Sequence, residues 1–265
     1  MSHTTARTLQ WIVIILIVSL IGGGVYHYFS ARAAKINTTP TTFNTSGLVG
    51  YWTFDGAETV WTSTTAGTTL DKSGQNNTGT LTSMNQATSP AIGKHGQALN
   101  FDGSTSYVEI PDNPAYTLGT AFTYSAWIKT SDTVGEIFSN FEVASPFVGT
   151  LFGVGFGGTN GKLSVWISTS SGSTVQDTGS VVNDNTWRFV TASYDGTNVR
   201  FYRDGALSST IAATNSVGNS SNVLRIGRDN NSPGERYYNG SLDDVRIYNR
   251  ALSASEVTQL YNAGR

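Results

Sequence analysis

The sequence has no cysteine among its 265 residues. This absence excludes disulfide bonds, thiol catalysis and thiolate-bound metals, and it leaves the redox compartment open. Charge is also scarce, because only 13% of the residues are charged and the formal net charge is −2. Lysine and arginine are scattered along the chain and form no basic patch that could hold nucleic acid electrostatically. We therefore expect no nucleic-acid partner.

The residues that are abundant favour turn-rich β structure, since the chain has 29 glycines and many Ser, Thr and Asn residues. Two segments are typical of strands with a carboxylate at one end, residues 50–56 (GYWTFDG) and 240–252 (GSLDDVRIYNRAL). In the second, strict alternation predicts that Asp243 shares a face with Val245 and Ile247. A carboxylate on an apolar face needs a bound cation, an arginine or backbone N–H groups as its partner.

The last residues of the chain predict one short helix. Ser253 and Glu256 stand three apart, which is the spacing of a capping box at a helix N-terminus. Val257, Leu260 and Tyr261 fall on one stripe of that helix. We expect this stripe to dock against the strands.

Seven motifs along the chain, taken in order, resemble those of the laminin-G-like jelly-roll family of the concanavalin A-like lectin/glucanase superfamily. They are residues 48–56 (LVGYWTFDG), 70–81 (LDKSGQNNTGTL), 93–110 (GKHGQALNFDGSTSYVEI), 122–129 (FTYSAWIK), 187–194 (WRFVTASY), 199–205 (VRFYRDG) and 240–252. The resemblance covers roughly residues 47 to 262. It implies an all-β fold, a two-sheet antiparallel jelly-roll sandwich at residues 47–265. This fold hosts lectins, glycosidases, adhesive modules and spacers, so the resemblance does not settle the function.

The N-terminal region predicts a contact with a membrane. Residues 11–29 are mostly apolar, and a helix of about 1.5 Å per residue would just cross a hydrocarbon core of about 30 Å. Residues 1–33 therefore form a hydrophobic anchor or, because residues 31–33 (ARA) have an A-x-A arrangement, a cleaved signal peptide. Residues 34–46 are a polar linker rich in Thr, with Asn and Pro. We expect a single-pass protein with its C-terminal domain outside the cell membrane, or a secreted one after cleavage.

The resemblance also implies a calcium ion, which is bound in many members of the family. The candidate ligands are Asp55, Asp71, Asn77 and Asp243, since the first and last strands of the family lie side by side and the loop at residues 71–79 could fold across them. Carboxylates, backbone carbonyls and water are the oxygen ligands that calcium prefers. The alternative is that Asp71 forms an Asx turn and Asp243 pairs with an arginine.

Glycan binding needs exposed aromatic faces beside a few polar groups. Trp166 is the strongest candidate, because alternation places it opposite Leu163, Val165 and Ile167 and so away from the main core. Further candidates lie in loops, namely Trp61, Tyr237 and Tyr238. The alternative for each of these four is packing beneath a neighbouring loop.

The sequence predicts no enzyme. Catalytic relatives of this fold carry a Glu-x-Asp-x-x-Glu run on one strand, and no such run occurs here. The six glutamates are isolated in sequence, and His95 lies in a glycine-flanked turn without an evident nucleophile. Carboxylates that are remote in sequence can still converge in a fold, so a glycoside hydrolase remains the third hypothesis.

The first hypothesis is a non-catalytic recognition module, anchored at the cell surface, whose partner is a glycan or an extracellular protein. The second is a structural or filament subunit of the cell envelope. A type IV pilin would have a leader ending in glycine and a glutamate five residues into the mature chain, whereas residues 22–24 (GGG) are followed by VYHYF. The sequence leaves the oligomeric state open.

Overall fold

The structure is a computed structural model that describes residues 44–116, 118–141, 148–155, 161–167, 173–179, 181–214, 217–218, 220–230 and 236–264. One compact unit spans Thr41–Arg265. The predicted membrane segment at residues 11–29 lies outside the described residues, as does most of the predicted linker. In the part of the chain that the structure describes, no helix is both long and apolar enough to cross a membrane.

The sandwich is built from short strands, numbered along the chain. They are β1 (Leu48–Trp52), β2 (Thr59–Trp61), β3 (Gly67–Thr69), β4 (Gly79–Thr82), β5 (Pro90–Ile92), β6 (Gln97–Asp102), β7 (Tyr107–Ile110), β8 (Phe122–Lys129), β9 (Gly135–Ser139), β10 (Thr150–Val154), β11 (Leu163–Ile167), β12 (Ser173–Gln176), β13 (Arg188–Tyr194), β14 (Asn198–Arg203), β15 (Ala206–Ala212), β16 (Leu224–Ile226) and β17 (Asn239–Tyr248). One 3-10 turn covers Pro114–Tyr116, and the helix α1 spans Ala254–Ala263.

These strands form two antiparallel sheets. The eight-stranded sheet has the order β15-β14-β13-β8-β17-β6-β5, with β1 paired to β17. The nine-stranded sheet has the order β12-β11-β10-β9-β16-β7-β4-β3-β2. The prediction of an all-β, two-sheet antiparallel sandwich with a short C-terminal helix is therefore confirmed.

The main core lies between the two sheets and is rich in aromatic side chains. Its largest members are fully buried, among them Trp52, Phe54, Tyr124, Phe138 and Phe152. The rings of Tyr124 and Phe138 meet edge to face with centroids 4.0 Å apart. Successive side chains of each strand point to opposite faces of its sheet. One set therefore fills this core, and the other set points outwards.

A second apolar cluster lies on the outer face of the eight-stranded sheet, beneath α1. Val257 and Leu260 of the helix pack there with Trp127, Phe189 and other buried side chains of the sheet. The predicted capping box is confirmed, since the Ser253 side chain accepts from the Glu256 backbone N–H and the Glu256 side chain accepts from the Ser253 backbone N–H. The helix stripe therefore docks as predicted.

The alternation predicted for the last strand is wrong. Asp244 has φ +53, and the pairing of β17 with β8 shifts register between Asp243 and Arg246, as a β-bulge does. Val245 remains in the main core, whereas Asp243 lies opposite Trp127 on the outer face under α1. The extra residue of the bulge moves the Asp243 carboxylate out of the apolar interior.

Candidate functional site

Two of the four predicted calcium ligands, Asp71 and Asn77, belong to one network of hydrogen bonds. Asp71 Oδ1 accepts from the backbone N–H groups of Tyr51 (3.0 Å) and Ser73 (2.8 Å), and Oδ2 accepts from Ser73 Oγ (2.7 Å) and the Asn77 N–H (3.0 Å). The Asn77 side chain donates to the Val49 carbonyl at 2.9 Å. The bond from Ser73 N–H to Asp71 is an Asx turn, and the bonds with Tyr51 and Val49 hold the loop against β1.

The other two, Asp55 and Asp243, meet at the turn between β5 and β6. Asp55 Oδ1 accepts from the Gln97 N–H at 2.8 Å, and Asp243 Oδ2 accepts from the His95 N–H at 2.9 Å. Gly96 has φ +46, and a Cβ at this position would lie 2.0 Å from Asp55 Oδ1. The glycine therefore allows the carboxylate to approach the backbone.

The surroundings of Asp243 disfavour its charged form. Burial, together with the neighbouring charges of Asp244 and Asp55, raises the pKa of Asp243 to about 7, although the backbone hydrogen bonds from His95 and Lys94 lower it. Arg246, the arginine of the same strand, contacts Asp244 at 3.2 Å. Among the residues that the structure describes, no group of three or more His, Cys, Asp or Glu side chains is arranged to hold a metal ion. Asp55 and Asp243 could therefore supply only part of a calcium coordination sphere.

The four predicted ligand-binding aromatics differ in burial and do not form one exposed surface. Trp61 lies on the edge strand β2 and packs partly against the main core. Tyr238 lies in that core with 1% of its surface exposed, and its ring meets Phe101 at 6.1 Å. Tyr237 and Trp166 are half-buried, and Trp166 lies on the outer face of the nine-stranded sheet, as predicted.

Tyr237 contributes to a group that we call the tyrosine–arginine surface, formed by Tyr107, Glu109, Arg225, Arg228 and Tyr237. The Cζ atoms of Arg225 and Arg228 lie 5.4 Å and 5.0 Å from the ring centroid of Tyr107. Arg228 also lies 5.1 Å from the Tyr237 ring. These distances are typical of cation–π contacts. Arg225 Nε in turn donates to Glu109 Oε2 at 3.1 Å.

The surface is built by alternation on two neighbouring strands and by one short segment. Tyr107 and Glu109 alternate on β7 with the core residues Val108 and Ile110, and Arg225 stands between two core residues of β16. The two strands pair so that Arg225 lies opposite Glu109. All five members of the surface are half-buried.

Trp166 belongs to the same sheet face but lies apart from this surface. The cross-strand partners run from Trp166 through Leu151 and Ser139 to Arg225. Three strand spacings separate the ends of this row, about 14 Å. Leu151 and Ser139 are buried, so a covered stretch divides Trp166 from the tyrosine–arginine surface.

Sequence reasoning missed Tyr107, Glu109, Arg225 and Arg228. The alternation in residues 107–110 (YVEI) and 224–226 (LRI) was the available signal, because it places the polar member of each strand opposite the core residues. Arg228 had no such signal, since it reaches Tyr107 through the folding of a loop.

Next to this surface, two fully buried acids share one arginine. Arg236 Nε donates to Glu136 Oε1 at 2.8 Å, and Arg236 Nη2 lies 2.9 Å from Asp229 Oδ2. Both acid side chains are 0% exposed. Burial raises the pKa of Glu136 to about 7, and the Arg236 guanidinium lowers it only in part. These acids are closed off from any ligand at the surface.

The sequence profile of the Laminin_G_3 family, in the concanavalin A-like lectin/glucanases superfamily, matches residues 102–258, more than half of the chain. No curated protein matches the chain in sequence. Domain 4 of AbnA, a GH43 extracellular arabinanase from Geobacillus stearothermophilus in complex with arabinotriose, is similar in structure, with a TM-score of 0.61 and 19% identity. That match covers 82% of this chain and 98% of the arabinanase domain.

The binding domain of botulinum neurotoxin DC is similar as well, in structures with SialylT and with rat synaptotagmin II. Both have a TM-score of 0.55 and 16% identity, and the match covers 83% of this chain and 52% of the toxin chain, about half its length. At such identities the likeness shows the fold alone. The family match over residues 102–258 and the two-sheet fold of this chain agree. The chain belongs to the concanavalin A-like lectin/glucanase superfamily.

Proposed function

We propose that this protein is a non-catalytic recognition module that binds carbohydrate through the tyrosine–arginine surface. The observation that carries the proposal is the alternation of two tyrosine rings with two guanidinium groups on the outer face of the nine-stranded sheet. Tyrosine rings offer flat apolar faces, and the arginines and Glu109 supply directed donors and acceptors beside them. This combination suits a ligand that has both apolar C–H faces and hydroxyl groups.

Preorganisation supports the same proposal. Arg225 is held by Glu109, and Arg228 is held between the rings of Tyr107 and Tyr237. Long side chains that are already ordered lose little conformational entropy when a ligand binds. A carbohydrate would therefore meet donors whose positions are set before it arrives.

The similar structures give the proposal two possible ligand classes. Arabinotriose and SialylT, named in two of these structures, support a carbohydrate ligand. Synaptotagmin, named in a third, supports a protein ligand as the second candidate. Tyrosine and arginine are also enriched at the energetic centres of protein interfaces, which favours this second candidate over a structural subunit.

We also propose that calcium binds at Asp55 and Asp243 and serves the fold. Two carboxylates at one turn, with a raised pKa at Asp243, favour a cation there. Calcium would hold the turn between β5 and β6 against β17, which belong to the eight-stranded sheet and not to the sheet that carries Tyr107 and Arg225. The surface display predicted from residues 11–29 completes the proposed function.

The experiment is a glycan-array assay on residues 41–265, with calcium and with a chelator, followed by titration of the strongest glycan. We expect Arg228→Ala to weaken binding about tenfold or more, about 1.4 kcal/mol. The matched control is Arg203→Ala, whose guanidinium donates to the exposed Val181 carbonyl on another part of the sandwich. Equal affinities for the two variants would contradict the proposed surface.

Two further outcomes separate the alternatives. Silence of the wild-type protein on the array, with and without calcium, would contradict carbohydrate binding and favour a protein ligand or a structural subunit. Binding that survives the chelator and the double substitution Asp55→Asn with Asp243→Asn would remove calcium from the proposed function. Release of reducing sugar from the bound glycan would instead support the hydrolase hypothesis.

A further inference from the structure

Two of the five residues of the tyrosine–arginine surface, Arg228 and Tyr237, are carried by a loop. We define the paired segment as residues 227–230 and 236–238. Its two arms run antiparallel, with Arg228 opposite Tyr237. The Asp229 N–H donates to the Arg236 carbonyl at 3.2 Å, and the Tyr238 N–H donates to the Gly227 carbonyl at 2.9 Å. Tyr107 and Arg225, in contrast, stand on strands of the sheet.

Arg236 ties this segment to the sheet. Its guanidinium bonds to Glu136 on β9 and to Asp229 on the opposite arm, at 2.8 Å and 2.9 Å. Its backbone N–H also donates to Asp229 Oδ1 at 3.1 Å. One side chain therefore joins three elements, the strand and both arms.

A glycine on the neighbouring strand leaves space for the Glu136 side chain that binds Arg236. Glu136 lies opposite Gly153 in the pairing of β9 with β10. A Cβ at position 153 would lie 2.5 Å from Glu136 Oε2. The absence of a side chain at this position lets the carboxylate turn towards Arg236 instead of towards solvent.

The free energy of folding alone does not explain the buried group of Glu136, Arg236 and Asp229. Taking a carboxylate and a guanidinium out of water costs about as much as their attraction returns, and an apolar pair of the same volume is often as stable. What the Glu136–Arg236–Asp229 triad provides is direction, because the planar guanidinium accepts few orientations between two carboxyl groups. The triad therefore fixes where the arms lie.

We infer that Glu136 is a positioning residue for the tyrosine–arginine surface, which through Arg236 holds Arg228 and Tyr237 in register with Tyr107. Glu136 does not touch the ligand. The consequence for affinity rests on the proposed function, but the consequence for the paired segment does not.

The test combines hydrogen exchange with binding in residues 41–265. In Glu136→Leu we expect the Gly227, Asp229 and Tyr238 amides to exchange at least tenfold faster, with exchange in β8 and β13 unchanged. Affinity for the array-selected glycan should fall about tenfold. Glu136→Gln keeps the acceptor for Arg236 Nε, so its exchange and affinity should stay within about threefold of wild type.

A second arginine provides the matched control. Arg188 on the eight-stranded sheet is also shared by two acids, Asp184 and Asp204, but all three are partly exposed. Arg188→Leu should change neither the exchange of the paired segment nor the affinity. A loss of affinity in this variant as large as that in Glu136→Leu would contradict a specific positioning role.

Each remaining outcome decides the inference. Unchanged exchange in a folded Glu136→Leu variant would overturn it. Should Glu136→Leu fail to fold, Arg236→Lys decides, since it keeps the charge and loses the planar fork: faster exchange confined to the paired segment supports the inference, and unchanged exchange overturns it. A wild-type protein that binds no glycan contradicts the proposed function, while the exchange data still test the role of Glu136.

Discussion

The outer faces of the two sheets differ in what covers them. On the eight-stranded sheet, Trp127 and Phe189 lie beneath α1, and the ring of Tyr261 meets Trp127 at 5.6 Å. On the nine-stranded sheet, the tyrosine–arginine surface is half-buried and carries charge. One face is completed by the chain itself, and the other has the mixture of rings and polar groups found in binding sites.

This difference teaches how one fold separates stability from recognition. Apolar surface on the first face contributes to the free energy of unfolding because α1 removes it from water. The Arg225–Glu109 ion pair of the second face is partly exposed and should contribute little to the free energy of unfolding. The predictions below test this division, starting with the largest effect.

The largest effect is expected under the helix. Leu260→Ala should lower the free energy of unfolding by about 2–4 kcal/mol, because it removes a buried side chain and leaves a cavity. Equilibrium urea unfolding measures the change. Leu207→Ala is the matched control, since Leu207 is 55% exposed on β15 of the same sheet, and it should cost below about 0.5 kcal/mol. Similar losses for the two variants would contradict a stabilising role for the helix cover.

The second effect is a dependence of stability on pH. The folded protein holds a proton on Glu136 up to about pH 7, whereas the unfolded chain releases it near 4.5. The free energy of unfolding should therefore fall as pH rises through this window, and the part due to Glu136 is at most about 3 kcal/mol. Glu136→Gln cannot ionise, so the difference from wild type isolates this group. A difference that does not change between pH 4.5 and 7 would contradict the raised pKa.

The third prediction separates affinity from stability on the nine-stranded sheet. Tyr237→Ala should weaken glycan binding by about 1–2 kcal/mol, because a preordered ring and its contact with Arg228 are lost. Its free energy of unfolding should change by less than about 1 kcal/mol. Calorimetric titration and urea unfolding of the same preparation measure both. A stability loss larger than the affinity loss would place Tyr237 with the core residues.

The order of these effects also shows which features the sequence could predict. Local patterns predicted the capping box and the outward direction of Trp166, because each depends on residues within a few positions of one another. The two-sheet sandwich was predicted from the resemblance of seven ordered motifs to a known family. The bulge at Asp244 could not be predicted, because one residue with positive φ reverses the alternation and no residue type in GSLDDVRIY indicates it. Tyr238 was a ligand-binding candidate with packing as its alternative, and it lies in the core because consecutive extended residues point to opposite sides.

The site itself needed contacts that no local pattern contains. Glu136 and Arg236 are 100 residues apart in sequence, and Arg225 and Glu109 are 116 apart. The predicted calcium ligands show the same limit. The family motifs predicted that Asp55 and Asp243 lie close together, and both contact the turn between β5 and β6. The hydrogen bonds of Asp71 depend on the folded loop and could not be predicted.

The smallest effect is expected at the N-terminus of α1, on the face of the eight-stranded sheet that the helix covers. Ser253→Ala removes the N-cap of α1 and should lower the free energy of unfolding by about 1 kcal/mol, since a helix N–H loses its acceptor. Ser255→Ala, within the first turn, should change stability by less than about 0.5 kcal/mol. Neither should alter glycan affinity, because α1 packs on the opposite sheet from the tyrosine–arginine surface. A loss of affinity in Ser253→Ala would mean that the helix cover and the binding face are coupled through the core, and the separation of stability from recognition would then fail.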